Sequence, residues 1–259
     1  MTTFDVRTTD LLALNSMTKY PSIPTYHALD PRDGGLLDEC VAFAQPVIGT
    51  EKVDGTNARV LLLPDGSYLL GSREELLYAR GDLIGNPSQG IVAAVKPLAE
   101  AVRSERDDTI RVLYLEVYGG RIGAAAKKYS TCGAVGWRLF DEARIDDYAE
   151  VLDWPAERIS RWRDDGGQRF VDERQLNATA SAASVELTPR LFTIEPTELP
   201  TEVAKTRAFL AEHLPHTRVA LDDAAPGSSE GMVLRTADRS TIAKARFQDY
   251  DRTLRRRGR

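Results

Sequence analysis

The stretch Thr50-Glu51-Lys52-Val53-Asp54-Gly55-Thr56-Asn57 sits between two runs of β-like residues. A lysine amine is protonated at neutral pH, but burial and neighbouring cations can lower its pKa and expose a nucleophilic lone pair. A lysine just after a strand, followed two residues later by an acid and then a glycine, suits that use. Gly55 permits a tight turn, and Thr56 and Asn57 offer short polar groups for phosphate or metal-bound water. Read alone, the same stretch also describes a surface hairpin with a solvated lysine. What separates the two readings lies further along the chain.

Around this stretch the texture is β-like from Val47 onward. Ala58–Leu63 is apolar and ends at Pro64-Asp65-Gly66-Ser67, and Tyr68–Gly71 follows, which predicts a hairpin. Ile91–Arg103 has helical spacing, with Ile91, Val95, Leu98 and Val102 on one stripe. Arg111–Tyr118 and Gly136–Phe140 predict strands, residues 146–180 hold polar helical pieces around Trp154, Trp162 and a Gly166-Gly167 break, and Thr197–Leu214 predicts a helix capped by Thr201. Met232–Thr236 and Thr241–Phe247 close the series as strands. Residues 1–46 look like an irregular lead-in punctuated by Pro21, Pro24, Pro31 and Gly34-Gly35, with a short helix near Leu36–Phe43. Without a regular βαβ alternation, the pattern gives an α+β fold with mostly antiparallel sheets and a single domain over 1–259.

Composition narrows the function. The 259 residues carry 34 Lys and Arg against 39 Asp and Glu, a formal charge of −5, which disfavours coating nucleic acid through bulk charge. Two cysteines, Cys40 and Cys132, exclude a disulfide scaffold and a four-cysteine zinc site, and with the three histidines they are expected as packing residues. The N-terminus lacks the pattern of a signal peptide and no apolar run is long enough for a membrane span, so a cytoplasmic, reduced setting is expected. Arg252–Arg259 holds five arginines and no acid, which reads either as a solvated, frayed terminus or as a phosphate contact.

Three further stretches carry charge in a patterned way. In Leu113-Tyr114-Leu115-Glu116-Val117-Tyr118 the period of two puts Glu116 on the face opposite Leu113, Leu115 and Val117, as a solvated strand acid or an acceptor for a ribose hydroxyl. In Ser229-Glu230-Gly231-Met232-Val233-Leu234-Arg235 a carboxylate again precedes a glycine and an apolar strand. In Ile242-Ala243-Lys244-Ala245-Arg246-Phe247 the same period puts Lys244 and Arg246 on one face. Two adjacent cations on a sheet repel unless an anion lies between them, and a triphosphate would be such an anion.

In this order these residues resemble the covalent nucleotidyltransferase superfamily of ATP-dependent ligases and mRNA capping enzymes, and within it RNA ligases of the nick-sealing, RNA-ligase-2 type. Glu51–Asn57 matches the Lys-x-x-Gly-Thr-Asn form of the first motif; DNA ligases and capping enzymes usually place Arg where Asn57 stands. Gly71-Ser72-Arg73, Leu115–Gly120, Arg138–Glu142, Glu230–Arg235 and Lys244–Arg246 resemble the motifs that follow, so the likeness spans residues 50–247.

The resemblance implies a nucleotidyltransferase domain of antiparallel sheets flanked by helices, with the nucleotide between the sheets. It implies that Lys52 attacks the α-phosphorus of ATP and carries AMP, while Lys244 and Arg246 stabilise charge as pyrophosphate leaves. The second of these cations is often lysine in the family, so Arg246 keeps the charge but changes its geometry. Glu51 would help to read adenine, partly through its backbone, Phe140 to stack on it, and Glu116 to accept the ribose hydroxyl. Arg73 and Arg235 would hold phosphate, and Asn57 would orient phosphate or metal-bound water. Glu230 would bind a divalent cation, Mg²⁺ or Mn²⁺, and Asp54 is treated as variable. RNA ends bearing 3′-hydroxyl and 5′-phosphate would be joined.

No C-terminal OB or helical domain is expected after Arg246, the main departure from the family pattern. That leaves a homo-oligomer or an accessory RNA-binding protein to help hold RNA, and gives the arginine tail more weight as a phosphate contact. The alternatives are a DNA ligase, a GTP-dependent capping-type enzyme, or a catalytically idle RNA- or nucleotide-binding module. Asn57 and the missing domain speak against the first two, and the intact reactive residues against the third.

Overall fold

The computed structural model describes residues 4–79, 82–83, 90–102, 108–225 and 227–258, with Asp82 and Leu83 described by backbone alone. Arg103, expected at the end of a helix, and Arg259, in the basic tail, lie outside the described residues. The elements run α1 (Leu11–Met17), β1 (His27–Leu29), β2 (Leu36–Cys40), β3 (Val47–Lys52), β4 (Thr56–Leu62), β5 (Tyr68–Ser72), β6 (Leu76–Ala79), β7 (Asp82–Leu83), α2 (Ile91–Val102) and β8 (Ile110–Gly119). They continue as β9 (Val135–Ile145), α3 (Tyr148–Leu152), α4 (Ala156–Asp164), β10 (Arg169–Phe170), α5 (Glu173–Ala183), β11 (Arg190–Ile194), α6 (Val203–His213), β12 (Gly231–Thr236), β13 (Ile242–Arg246) and α7 (Phe247–Arg257). The named strands pair antiparallel in three sheets: a β1-β2 ribbon, a seven-stranded sheet in the order β10-β9-β8-β4-β5-β6-β7, and a four-stranded sheet in the order β11-β3-β12-β13.

The seven-stranded sheet is covered on both faces, which is why Val60-Leu61-Leu62-Leu63 is continuously apolar rather than alternating. Val60, Leu62, Leu113 and Leu115 pack under α2 and α5, while Leu61, Leu63, Val112 and Tyr114 pack against α1, α3 and α4. The predicted hairpin forms: Leu62 pairs with Tyr68, Asp65 Oδ1 accepts the Ser67 N–H at 2.9 Å, and Gly66 takes a left-handed φ of 80°. Helix α5 starts on a reciprocal cap, with Asp172 Oδ1 accepting Gln175 N–H at 2.7 Å and Gln175 Oε1 accepting Asp172 N–H at 3.2 Å.

The four-stranded sheet has two different faces. Met232, Leu234, Ala243 and Ala245 point into a core with Val203 and Leu210 of α6 and Tyr250 of α7. Thr50, Lys52, Val233, Arg235, Lys244 and Arg246 point the other way, into a cleft between the two large sheets.

Four expectations are corrected. The lead-in is not irregular and its expected helix is absent: Leu36–Cys40 is a strand paired with β1. Helix α6 does not cap on Thr201; it begins at Val203, whose N–H is accepted at 3.1 Å by Asp38 from that same ribbon. Among the described residues the basic tail is not frayed: α7 runs to Arg257. Arg252, Arg256 and Arg257 donate to the lead-in carbonyls of Gly34, Asp33 and Leu36 at 2.9, 2.9 and 2.8 Å, and Arg255 donates to Asp251 O of its own helix at 3.0 Å. Cys132 is exposed rather than packed, whereas Cys40 does border the third core.

Helix α1 is tied to the seven-stranded sheet by a buried guanidinium. Arg59 on β4 donates to Ser72 O (2.7 Å), Asn15 O (3.1 Å), Asn15 Oδ1 (2.7 Å) and Thr18 Oγ1 (3.0 Å), and burial lowers its pKa to about 10. Replacing Arg59 by Leu strands those acceptors in the interior and is expected to cost about 3 kcal/mol of unfolding free energy by urea titration. A loss below ~1 kcal/mol would show that these bonds do not hold α1.

Candidate active site

Strand register builds the floor of the cleft. Lys52 lies opposite Gly231, which lies opposite Arg246; Thr50 lies opposite Val233, which lies opposite Lys244; Ile48 lies opposite Arg235, which lies opposite Ile242. Three rows thus cross the sheet, spaced roughly 7 Å along the strands, with neighbours roughly 5 Å apart. The first row has no side chain in its middle, because Gly231 stands there. A Cβ at Gly231 would lie 2.1 Å from the Ala245 carbonyl oxygen. The motif glycine therefore serves close strand approach and leaves open the space between Lys52 and Arg246.

The opposite wall comes from the seven-stranded sheet, where Asn57 pairs with Glu116 across β4 and β8. The turn that carries the chain from the floor to this wall is braced at each residue. Asp54 N–H donates to Tyr129 Oη at 2.7 Å, Lys128 pairs with Asp54 at 3.0 Å, and Gly55 N–H donates to Glu116 Oε1 at 3.1 Å. A Cβ on Gly55 would meet the Val117 carbonyl oxygen at 2.3 Å, so this glycine too is fixed by close approach.

All ten residues selected from the sequence border one cavity of about 450 Å³: Glu51, Lys52, Asn57, Arg73, Glu116, Phe140, Glu230, Arg235, Lys244 and Arg246. That volume suits a small-molecule ligand. A wider, shallower depression of about 570 Å³ lies beside α5. Its charges are already matched, Arg138 with Glu186 at 2.6 Å and Arg190 with Glu173 at 2.7 Å, so it makes the poorer site.

Within the cavity Lys52 Nζ donates to Glu230 Oε2 at 2.5 Å. Burial, then the neighbouring Arg246, Lys52 and Arg73 charges, push the Lys244 pKa below its usual value. Burial pushes Glu116 up to about 7, with Lys52 and the Gly55 N–H acting in the opposite sense. Arg246 leans on Asp249 at 2.8 Å, and Arg73 is largely exposed beside Glu74. Asn57 Oδ1 is buried and without a hydrogen-bond partner, an acceptor that a bound donor or cation would satisfy.

Glu51 and Arg235 have side chains committed to protein groups. Glu51 borders the cavity, but its carboxylate is spent elsewhere: it accepts the Thr217 hydroxyl and the Arg218 N–H, the latter at 2.7 Å. Burial raises its pKa against those two bonds. Arg235 sits in the third row, roughly 14 Å along the strand from the level of Lys52, and donates to the Phe140 carbonyl at 3.2 Å and to Asp141 at 3.5 Å. It marks the Phe140 end of the cleft, not the lysine end.

Phe140 is the extra residue of a bulge: Leu139 and Asp141 pair with the consecutive residues Leu115 and Tyr114. Five lining residues had no signal in the sequence motifs, namely Thr188 and Tyr20, Pro21, Ser22 and Ile23 of the lead-in. The run Tyr20-Pro21-Ser22-Ile23-Pro24 does announce an extended segment, though not where it goes.

A model of the RNA ligase family matches residues 45–247. The chain belongs to the RNA ligase family. A comparison with curated proteins finds no match. Among solved structures, the Naegleria gruberi RNA ligase with PPi is 13% identical at a TM-score of 0.56, and the match covers 94% of this chain and 59% of that one. A variant of that ligase with ATP and Mn is 14% identical at a TM-score of 0.57, covering 94% and 59%. An archaeal ATP-dependent RNA ligase is 15% identical at a TM-score of 0.53, covering 90% and 49%. At these identities the likeness shows the fold, and this RNA-ligase-family chain spans between about half and three fifths of the length of those proteins.

Glu116 gives a pH signature for this family member. Its folded pKa lies above the ordinary carboxylate value, so its contribution to stability is present at low pH and is lost as pH rises toward the folded value. Between about pH 4.5 and 7 the native protein should therefore lose stability relative to a Glu116→Gln variant. Urea titrations of both at several pH values test this, and parallel curves would refute it.

Proposed function

We propose that the chain is an ATP-dependent RNA ligase that joins 3′-hydroxyl and 5′-phosphate RNA ends through an AMP carried on Lys52. The observation that carries this reading is the first row of the floor, where Lys52 and Arg246 flank the gap at Gly231, with Lys244 one row along. Three cations on one concave surface, with Glu230 as counter-charge to the nucleophile, make a seat for a polyphosphate.

Attack requires the neutral amine, so the Lys52–Glu230 pair opens when the nucleotide binds. The Lys52 ammonium gives its proton to the Glu230 carboxylate as the pair parts. The freed nitrogen bonds the α-phosphorus, and the bond from that phosphorus to the pyrophosphate oxygen breaks with its electrons left on that oxygen. Lys244 and Arg246 hold the charge that accumulates on the departing pyrophosphate. Phe140, at the far end, is the base-side ring, and Arg235 beneath it belongs to the base side. Glu116 lies between the two ends as the ribose acceptor. In the following steps the AMP passes to an RNA 5′-phosphate, and a 3′-hydroxyl then displaces it.

Glu230 and the unpartnered Asn57 Oδ1 are hard oxygen donors that suit Mg²⁺ or Mn²⁺, with phosphate oxygens and water completing the shell. Such an ion would supply charge neutralisation on the phosphates. A second copy of the chain or an accessory RNA-binding protein would help to hold the RNA ends.

Incubation with α-labelled ATP and Mg²⁺ is expected to give an acid-labile labelled protein. The label should be absent in Lys52→Ala, and GTP should label poorly. Label on Lys52→Ala would remove the nucleophile assigned here, and preferential labelling by GTP would favour a capping-type enzyme.

A further inference from the structure

One wall of the cleft comes from outside residues 45–247, the part that the family model matches. Between α1 and β1 the chain crosses from one large sheet to the other. On the seven-stranded side, Lys19 pairs with Glu74 at 2.9 Å and Tyr20 Oη donates to Asp141 Oδ2 at 2.9 Å. On the four-stranded side, Lys244 N–H donates to Pro24 O at 2.9 Å and Tyr26 N–H donates to Lys244 O at 2.8 Å. The residues between these anchors, Tyr20 to Ile23, line the cavity.

The Tyr20 anchor is a closed triangle. Arg239 donates Nε to Asp141 Oδ2 at 2.8 Å and Nη2 to Tyr20 Oη at 2.8 Å, so all three groups bond one another. Arg239 holds a left-handed φ of 65° in the turn between β12 and β13, and its side chain is 7% exposed. A non-glycine residue keeps such a backbone only where its surroundings over-determine it, and such residues cluster at functional sites. Tyr20 is half-buried, and desolvation with the neighbouring Asp141 charge pushes its pKa up, which keeps it a donor.

The triangle touches the two base-side groups. The Tyr20 ring stands edge-on to Phe140, with centroids 5.0 Å apart and planes at 88°. Asp141, next in sequence to Phe140, also accepts from Arg235 Nη1. Arg235 Nε faces Glu173 Oε2 at 4.0 Å, which leaves Nη2 buried and without a partner on a side chain that borders the cavity. Phe140 supplies a flat apolar face and Arg235 an unspent Nη2 donor; the face of a purine base would cover the first and its acceptor edge would satisfy the second.

We propose that the Tyr20–Ile23 strap is the base-side wall of the nucleotide site, and that Tyr20, Asp141 and Arg239 are positioning residues that fix Phe140 and Arg235 against the base. This rests on the nucleotidyl-transfer reading above. Tyr20→Phe keeps the ring but removes the donor. It should raise the KM for ATP in Lys52 labelling roughly tenfold, with the rate at saturating ATP retained. Arg239→Ala should behave the same way, and Arg239→Lys should recover part of the loss.

Inorganic tripolyphosphate, a competitor without a base, supplies the control. Its inhibition constant should not change in either variant, whereas general loosening of the cleft would weaken ATP and tripolyphosphate alike. An unchanged KM for ATP in Tyr20→Phe, or equal weakening of both ligands, overturns the positioning role while leaving the nucleotidyl-transfer reading intact. A native chain that takes up no label at all removes that reading and this inference together.

Discussion

The crowding of like charge on one sheet face governs this molecule. Antiparallel register sets Lys52 and Arg246 on either side of Gly231 and puts Lys244 one row away, so no relaxation short of breaking strand pairs can separate them. Glu230 offsets Lys52 at 2.5 Å and Asp249 offsets Arg246 at 2.8 Å, which leaves Lys244 the least compensated of the three. Burial first, and the neighbouring cations after it, push the Lys244 pKa below its usual value. A fold that keeps such an arrangement spends stability to hold an anion site ready, and preorganised charge of this kind is most effective where the ligand's own charge is increasing.

The floor works only if the opposing sheet stays in place, and the ties between the sheets are polar and buried. The turn at Val53–Gly55 is fixed by Tyr129, Lys128 and Glu116, and the lead-in strap fixes the other edge at Asp141 and Lys244. The strap is anchored in turn by α1, which Arg59 binds from inside the seven-stranded sheet. Interactions in a chain like this couple rather than add, because each tie sets the geometry of the next.

Much of this was legible in the sequence, for a physical reason. A strand repeats every two residues, so the alternation around Glu116, in Val233 to Arg235 and in Lys244 to Arg246 states which side chains share a face before any pairing is known. The hairpin at Pro64–Ser67 and the stripe of α2 are equally local, and both formed. What escaped depends on partners distant in sequence. Leu36–Cys40 extends because it pairs with β1 and receives Arg257 from the other end of the chain. Helix α6 takes its cap from Asp38 rather than from Thr201, a contact across 165 residues. Nothing local singles out Arg239, Asp141 enters only as part of the Arg138–Glu142 stretch, and only the folded chain brings Tyr20 between them.

The same alternation limits what neighbouring motif residues can do together. Lys52 and Glu51 are adjacent, so on a strand their side chains must leave by opposite faces. Lys52 takes the cleft, and the Glu51 carboxylate goes to Thr217 and Arg218, where it pins the segment leading toward Glu230 against the nucleophile's own strand. The pair Glu51-Lys52 is then better understood as one residue for chemistry and one for holding that chemistry in register. Reading a base with the Glu51 carboxylate would require breaking two buried bonds to a group whose pKa burial already raises. On the proposed reading the base side is therefore left to the groups that the fold does leave unspent there, the ring of Phe140 and the Nη2 donor of Arg235.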